Sequence, residues 1–290
     1  MLFNSITHGK IKTAKITPRL FFLCGANRSN EVISIRRERV KNFVEDKIDN
    51  ATVVIAEVFF KNFIHNHRDA GLKSTLNSLD FENVLTEISE KVLIILESNS
   101  SFCELGAFAH ENLRQKLIVI NDSKHQYAES FINTGPLKAI SESTSAGRVI
   151  WYNMSPNGIH NDDSIASTFI DLEKVIGTEP DKLKGPIRID PSERPITLHH
   201  ALFIHDLIYF CNGLTYKKLV NILIALFGKK PFHNLAHIIA ILTSLNLVKY
   251  IGSPAPIESL CDHSFLNYGG EHEKILRGFR LNSLKDRMRS

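Results

Sequence analysis

Short apolar runs alternate with amphipathic segments through the first half of this 290-residue chain, and this alternation constrains the fold more than any other feature. The segments between the runs carry apolar residues at helical spacing. Strands that alternate with helices form right-handed crossovers and a parallel sheet covered on both faces. We therefore predict an α/β chain with a flavodoxin-like or Rossmann-like parallel sheet. The runs are RLFFLCG from Arg19, ATVVIAEVFF from Ala51, KVLIILES from Lys91, KLIVIND from Lys116 and GRVIWYN from Gly147.

A different pattern follows the proline-containing segment KGPIRIDPSERP, which starts at Lys184. Three helical patterns come in close succession, and the last runs into a short strand and a hairpin-like segment. This order is typical of a winged helix, with the third helix as the recognition candidate. We divide the chain into a first domain over residues 1–152, a linker with one helix over residues 153–194, and a winged-helix-like domain over residues 195–290.

The charge of the chain is uneven. The formal net charge is +4, and residues 195–290 carry eleven Lys and Arg against six Asp and Glu, whereas the rest carries 24 against 25. The basic C-terminal third favours an anionic partner such as a nucleic acid. The candidate phosphate contacts are Lys217, Lys218, Lys229 and Lys230, although an ordinary solvated surface explains these lysines equally well.

Several classes of protein are disfavoured by what the sequence lacks. No apolar run reaches the length of a membrane span, and no secretory signal is present, so we expect a cytoplasmic protein without a membrane anchor. The cysteines are far apart, and His233 and His237 lack the glutamate of the H-E-x-x-H motif, so we expect no metal. The first strand-to-helix turn has one glycine where a dinucleotide fingerprint needs three, which disfavours a standard dehydrogenase. We expect no bound cofactor.

The turns after the strands are where an open α/β sheet binds ligands, and the most informative is ESNSSFCE, Glu97 to Glu104. Its serines crowd a helix start, where free N–H groups and the helix dipole attract a phosphate or a ribose hydroxyl. Two interpretations stay open. Ser101 and Glu104 have the spacing of a capping box with Ser101 as N-cap, or Glu104 is a catalytic carboxylate. Glu57, at the tip of the second strand, and Glu82, early in the next helix, could converge on the same cleft.

Six pieces of the first half resemble a known family in their order and spacing, over about residues 20–140. The chain is similar to the nucleoside 2-deoxyribosyltransferase-like effector proteins of bacterial retron defence systems. That family usually has E-S-P-G-S before the aromatic residue, whereas Asn99 and Ser100 replace Pro-Gly in this chain. The matching pieces are FFLCG from Phe21, AEVFF from Ala56, LDFENVL from Leu79, ESNSSFCELGAF from Glu97, KLIVIND from Lys116 and SFINTGP from Ser130.

The resemblance implies an N-glycosidase, most simply an NAD glycohydrolase, with Glu104 as the catalytic carboxylate. Cleavage of an N-glycosidic bond develops oxocarbenium character, which a carboxylate can stabilise or trap. The nicotinamide of NAD leaves without protonation, because it is already cationic. The expected substrate contacts are Glu57 and Glu82 on ribose hydroxyls, and Gly25, Ser98 and Ser101 along the ribose-phosphate path.

The resemblance also implies a toxic effector of an antiphage system. The expected partners are the retron reverse transcriptase and msDNA, its RNA-linked single-stranded DNA, which hold the toxin inactive until phage infection. Two other functions stay open: base exchange by a nucleoside deoxyribosyltransferase, and nucleotide sensing by a non-catalytic DNA-binding regulator. The sequence is compatible with a homo-oligomer and does not fix the oligomeric state.

Overall fold

The computed structural model describes residues 12–13, 18–29, 32–57, 78–143, 147–177, 189–193, 195–251 and 256–287. The chain divides into two compact units. The first, which we call the sheet unit, comprises Pro18–Val58 and Leu85–Asp181. The second, the helical unit, comprises Met1–Thr17, Phe59–Val84 and Lys182–Ser290.

The strands are short and, in the sheet unit, mostly buried on both faces. In chain order they are β1 (Lys12–Thr13), β2 (Arg19–Cys24), β3 (Asn27–Ser29), β4 (Val32–Ile33), β5 (Ala51–Val54), β6 (Lys91–Ile95), β7 (Leu117–Asp122), β8 (Val149–Tyr152), β9 (Val248–Tyr250), β10 (Ile257–Ser259) and β11 (Leu266–Asn267).

The α-helices of the described residues are α1 (Ile35–Lys47), α2 (Ser78–Ile88), α3 (Asn99–Phe108), α4 (Lys138–Glu142), α5 (Phe169–Ile176), α6 (Leu198–Cys211), α7 (Tyr216–Phe227), α8 (Leu235–Ser244) and α9 (Gly270–Arg287). A π-helix, Asn133–Leu137, leads into α4. None of the helices in the described part of the chain combines the length and the apolar content needed to cross a membrane.

Five parallel strands form the central sheet in the order β5–β2–β6–β7–β8. The predicted α/β fold with a parallel sheet is therefore confirmed. The chain runs from β2 outward to β5, returns past β2 to β6, and then continues in one direction through β7 to β8. The strand order thus reverses between β2 and β6, and such a reversal leaves a crevice at the carboxyl ends of the strands.

The two faces of this sheet are packed by different helices because successive strand residues point to opposite faces. Phe21 of β2 belongs to a core cluster with residues of α1 and α5. Phe22 faces the other side, where its ring centroid lies 6.0 Å from that of Phe108 in α3. Each such buried side chain contributes about 1.5–3 kcal/mol to the free energy of folding.

The single helix expected within the 153–194 linker is α5, and it is a packed element of the sheet unit. Its residues Leu172 and Ile176 are buried in the same core cluster as Phe21. The domain limits 1–152, 153–194 and 195–290 stay a prediction.

In the helical unit, α6, α7 and α8 follow one another and are succeeded by the antiparallel pair β9–β10. The third of these helices, α8, packs against α6 and has the sequence LAHIIAILTS. Residues 237–242 are buried, and the helix carries no Lys or Arg. The expectation that this helix reads nucleic acid is therefore wrong, because it has no exposed basic face to present.

Candidate active site at the carboxyl edge of the sheet

The crevice at the point where the strand order reverses is bordered by the loop after β2 and the loop after β6. The first loop leads through Gly25 and Ala26 to the hairpin of β3 and β4. The second leads through Glu97 and Ser98 into α3. In open α/β sheets this is the position where ligands bind.

Glu97 ties the two loops together from within the crevice, and its side chain is 1% exposed. Its Oε1 accepts hydrogen bonds from the backbone N–H of Ala26 at 3.0 Å and from the hydroxyl of Ser34 at 2.5 Å. Its Oε2 accepts from Arg36 at 3.1 Å. The sequence analysis did not single out Glu97 as a site residue, although a carboxylate so soon after a buried strand was a usable signal.

Arg36, at the start of α1, links the loops after β6 and β8. Its guanidinium is paired with Glu97 and, at 2.8 Å, with Asp163, and it also donates to the carbonyl of Ser155. All three charged side chains are nearly inaccessible to solvent. A buried charge needs this degree of pairing, because an unpaired one would carry a large desolvation penalty.

Arg37 joins the end of β2 and the loop that follows it to Glu57. It donates to the carbonyl of Leu23 at 2.8 Å, to Asn27 at 2.8 Å, and to both carboxylate oxygens of Glu57 at 2.9 and 3.1 Å. Burial alone would raise the pKa of Glu57, but the hydrogen bond and charge of Arg37 outweigh it and hold that pKa below its usual range. Glu57 is therefore an ionised acceptor at neutral pH.

The sequence analysis also did not single out Arg36 and Arg37, although two arginines at the start of a helix are unusual. Cations in the first turn of a helix oppose the helix dipole, so Arg36 and Arg37 are unfavourable there unless carboxylates compensate them. Glu97, Asp163 and Glu57 are those carboxylates.

The start of α3 differs from the predicted capping box. Ser98 is the N-cap, and its hydroxyl accepts from the N–H of Ser101 at 3.2 Å. The hydroxyl of Ser101 accepts in return from the N–H of Ser98 at 3.1 Å. The interpretation in which Ser101 caps the helix and Glu104 folds back onto it is wrong, since the N-cap lies three residues earlier and the first turn contains no acid.

Glu104 consequently lies in the second turn of α3, where the cap does not need it. It adjoins the buried stripe of Ser101, Leu105 and Phe108, and it is itself half-buried. Its Oε2 is shielded from solvent. A carboxylate near the start of α3 that the helix cap does not use is suited to a role in chemistry.

Comparison with known proteins identifies the family of the chain. The family profile of the STM3845 retron effector protein matches residues 33–251. The chain belongs to this retron effector family. An Escherichia coli relative named "Retron Ec73 putative ribosyltransferase/DNA-binding protein" is 31% identical over 296 residues, which cover 99% of this chain and 92% of the relative. The correspondingly named retron Ec86 protein of Escherichia coli is 34% identical over 125 residues, covering 43% of this chain and 38% of that protein.

The predicted identity as a retron effector is thus confirmed, and the other predicted site residues of this retron effector can be placed. Gly25 and Ser98 lie in loops at the carboxyl edge of the sheet, and Glu57 is a helical residue that follows β5 at the same edge. A Cβ on Gly25 would lie 2.9 Å from both Arg37 Cδ and Glu97 Oε1, so this glycine accommodates the protein's own buried side chains. Glu82 lies in α2, within the helical unit.

Ser101 is fully buried, and its hydroxyl is already engaged. Besides accepting from the N–H groups of Glu97 and Ser98, the hydroxyl donates to the carbonyl of Ser98 at 2.8 Å. Its observed role in the retron effector is to shape the start of α3. Ser98 is only half-buried and remains at the surface of the crevice.

The four predicted lysines of the helical unit differ in their surroundings. Lys217 and Lys218 are exposed in the first turn of α7, and Lys229 is exposed just after that helix. Lys230 forms an ion pair with Asp190 at 2.7 Å. Burial alone would raise the pKa of Asp190, but the hydrogen bond from Lys230 helps to hold it below its usual range. Lys230 is therefore the least available of the four for a phosphate.

Proposed function

We propose that this retron effector cleaves the N-glycosidic bond of a nucleotide, with NAD as substrate and Glu104 as the catalytic carboxylate. The observation that carries the proposal is the position of Glu104, half-buried in the second turn of α3 with its Oε2 shielded and outside the capping box. The E. coli Ec73 relative has "ribosyltransferase" in its name, which supports chemistry at an anomeric carbon.

The chemistry requires little beyond this carboxylate. As the bond between C1′ of the ribose and the nicotinamide nitrogen breaks, the electron pair leaves with nicotinamide, which becomes neutral. Glu104 stabilises the positive charge that develops on the ribose, or traps it as an ester. Water then forms the new bond to C1′ and releases a proton to the medium, giving ADP-ribose; where the ester has formed, its C1′–O bond breaks and the Glu104 carboxylate is regenerated.

The neighbouring groups of the crevice would hold the substrate. Glu57 is an ionised acceptor suited to a ribose hydroxyl, since an ionised carboxylate can only accept hydrogen bonds. Ser98 and the loop at Gly25 would border the ribose-phosphate path. No metal or cofactor is needed for this reaction.

We further propose that the helical unit adopts a winged-helix-like arrangement and contacts the msDNA held with the reverse transcriptase, so that the complex keeps the toxin inactive until phage infection. The name of the Ec73 relative includes DNA binding, and Lys217, Lys218 and Lys229 are exposed cations on this unit. Because α8 is buried, the contact would use α7 and the turn that follows it.

The decisive experiment incubates the purified full-length protein with NAD and measures free nicotinamide. We expect Glu104→Gln to lower the turnover at least about 100-fold, because it removes the charge that stabilises the transition state. Glu111→Gln, at an exposed glutamate just after α3, is the matched control and should retain wild-type turnover.

Equal turnover by the wild type and Glu104→Gln would contradict the assigned role. If an added acceptor base gave a new nucleoside in place of free sugar, the reaction would be base exchange. Failure of the wild type to turn over any nucleotide would favour a sensor over an enzyme.

A further inference from the structure

Two aromatic side chains stand almost fully in solvent on the segment that follows β7. Tyr127 is 89% exposed and Phe131 is 83% exposed, the highest values among the exposed large hydrophobic residues in the described part of the chain. Solvent exposure of whole aromatic rings is costly, so a rigid segment that carries two of them is a candidate for binding.

The segment itself is held firmly by side-chain hydrogen bonds. The side-chain amide of Asn133 donates to the carbonyls of His125 at 2.7 Å and Ala128 at 2.8 Å. The hydroxyl of Thr134 donates to the carbonyl of Ser130 at 2.9 Å. The π-helix and α4 follow directly, and the buried Leu137 anchors them. The rings are therefore presented by an ordered scaffold, as in many functional loops.

The ring of Phe131 is supported on one side and open on the other. A Cβ placed on Gly135 would lie 3.3 Å from Phe131 Cε2, so the ring lies directly over this glycine. Its 83% exposure leaves the opposite side of the ring to the solvent. A flat aromatic group supported in this way is suited to stacking against another flat ring.

The position and the limited area of the two aromatic rings, Tyr127 and Phe131, indicate which kind of group would stack on them. Strands β6 and β7 are parallel neighbours, and Leu96 N–H donates to the carbonyl of Ile120 at 3.0 Å, so the loop after β7 starts beside the one that leads to Glu104. Residues 124–129 are all exposed and mostly polar, so the apolar area is limited to two rings. A standard protein interface buries about 800 Å² on each partner around an apolar core, whereas two rings match a single base.

We propose that Tyr127 and Phe131 form a stacking platform for the heteroaromatic base of the nucleotide that Glu104 cleaves. This assignment rests on the proposed function and adds to it the residues that recognise the base. A purine stacks on such rings through its π-face, and a cationic nicotinamide gains a further attraction to them.

Calorimetric titration of full-length Glu104→Gln, which binds without consuming its ligand, tests the platform. We expect Tyr127→Ala with Phe131→Ala on this background to raise the Kd for NAD about 10- to 100-fold. Tyr127→Trp should stay within about threefold of the parent, because it keeps a stacking surface. Titration with AMP and with nicotinamide mononucleotide identifies the base that stacks, as only one of them should lose affinity.

Ile170→Ala is the matched control, since Ile170 is 69% exposed on α5, which packs on the face of the sheet opposite to α3. It should leave the Kd unchanged. With Glu104 intact, the alanine pair should raise KM for NAD more than it lowers kcat.

An unchanged Kd and KM in the alanine pair would overturn the platform and leave the proposed function standing. A change in self-association by sedimentation, with nucleotide affinity unaltered, would assign the rings to a second copy of the chain and also overturn it. If the parent binds no nucleotide and the wild type cleaves none, the proposed function and the platform both fail.

Discussion

At the scale of single residues, the carboxyl edge of the sheet is organised by buried charges and by the glycines that leave room for them. Arg36 forms ion pairs with both Glu97 and Asp163, and the side chain of Arg37 fills the space beside Gly25. Because the packing there is tight on all sides, one added methyl group forces a shift in a charged side chain.

Gly25→Ala should therefore lower the free energy of unfolding by about 1–3 kcal/mol, since its Cβ would meet Arg37 and Glu97 at 2.9 Å. Gly106→Ala is the matched control. Nothing lies within 4 Å of a Cβ there, and replacing a glycine within α3 should raise stability by about 0.5–1 kcal/mol. Urea unfolding followed by circular dichroism compares the two, and equal midpoints would contradict the packing argument.

The surroundings of Gly25 could not be predicted from the sequence. A glycine after a strand suggests close approach of a ligand, but the atoms that approach Gly25 belong to Arg37, twelve residues later, and to Glu97. Periodicity predicts that a helix follows the strand. It cannot predict that the first turn of that helix folds charged side chains back under the strand end.

At the scale of elements, α3 and α6 begin with reciprocal hydrogen bonds of different chemistry. In α3 both partners are serines, whereas in α6 the N–H of Thr197 donates to Nδ1 of His200 at 2.9 Å. Burial lowers the pKa of His200 to about 4, and the charge of His199 contributes in the same direction. The start of α6 therefore needs a neutral imidazole.

The pH dependence of the helical unit follows from this cap. The unfolded chain binds a proton at His200 below about pH 6.5, and the folded chain does so only near pH 4, so stability is full above pH 6.5 and falls by up to about 3 kcal/mol as the pH drops to 4. His200→Gln keeps an acceptor without a titrating group and should flatten this decline.

Thermal unfolding between pH 4 and 7 measures the decline. His160→Gln, at an exposed histidine of the sheet unit, is the control and should follow the wild type. An unaltered decline in His200→Gln would exclude the cap as its source.

The existence of α3 could be predicted from its apolar spacing, but its first residue could not. Ser98, Ser100 and Ser101 are all good N-cap residues, and intrinsic preference does not rank one serine above another. The choice of Ser98 depends on the burial of Ser101 beneath the loop after β6, which is a tertiary effect. With that choice, Glu104 is not part of the helix cap.

At the scale of the whole molecule, the order of strands and helices along the chain was sufficient to predict the parallel sheet. The grouping of Ser78–Val84 with the C-terminal third was not predictable, because local periodicity does not report contacts between distant segments. The sequence also showed that the C-terminal third is basic. It did not show which helix carries the exposed basic residues, because the helix order pointed to α8, and α8 is buried.

Replacement of Lys217, Lys218 and Lys229 together by Gln should weaken association of the full-length protein with msDNA. The slope of log K against log salt concentration should decrease in magnitude by about 2, because each lysine contact to a phosphate of a single strand contributes about 0.7 to the slope. Fluorescence anisotropy at several salt concentrations measures both effects.

The matched control replaces three exposed lysines of the sheet unit, Lys47, Lys138 and Lys174. If the control lowers the salt slope as much as the test variant does, the basic surface lies elsewhere than α7 and the turn after it.

The serine-only cap of α3 has a practical consequence for enzymology. Two hydroxyl groups do not ionise between about pH 4 and 9, so acid or base leaves the helix start unchanged over the range in which rates are measured. An inflection in a plot of log kcat against pH then does not originate in the hydrogen bonds that cap the helix carrying Glu104.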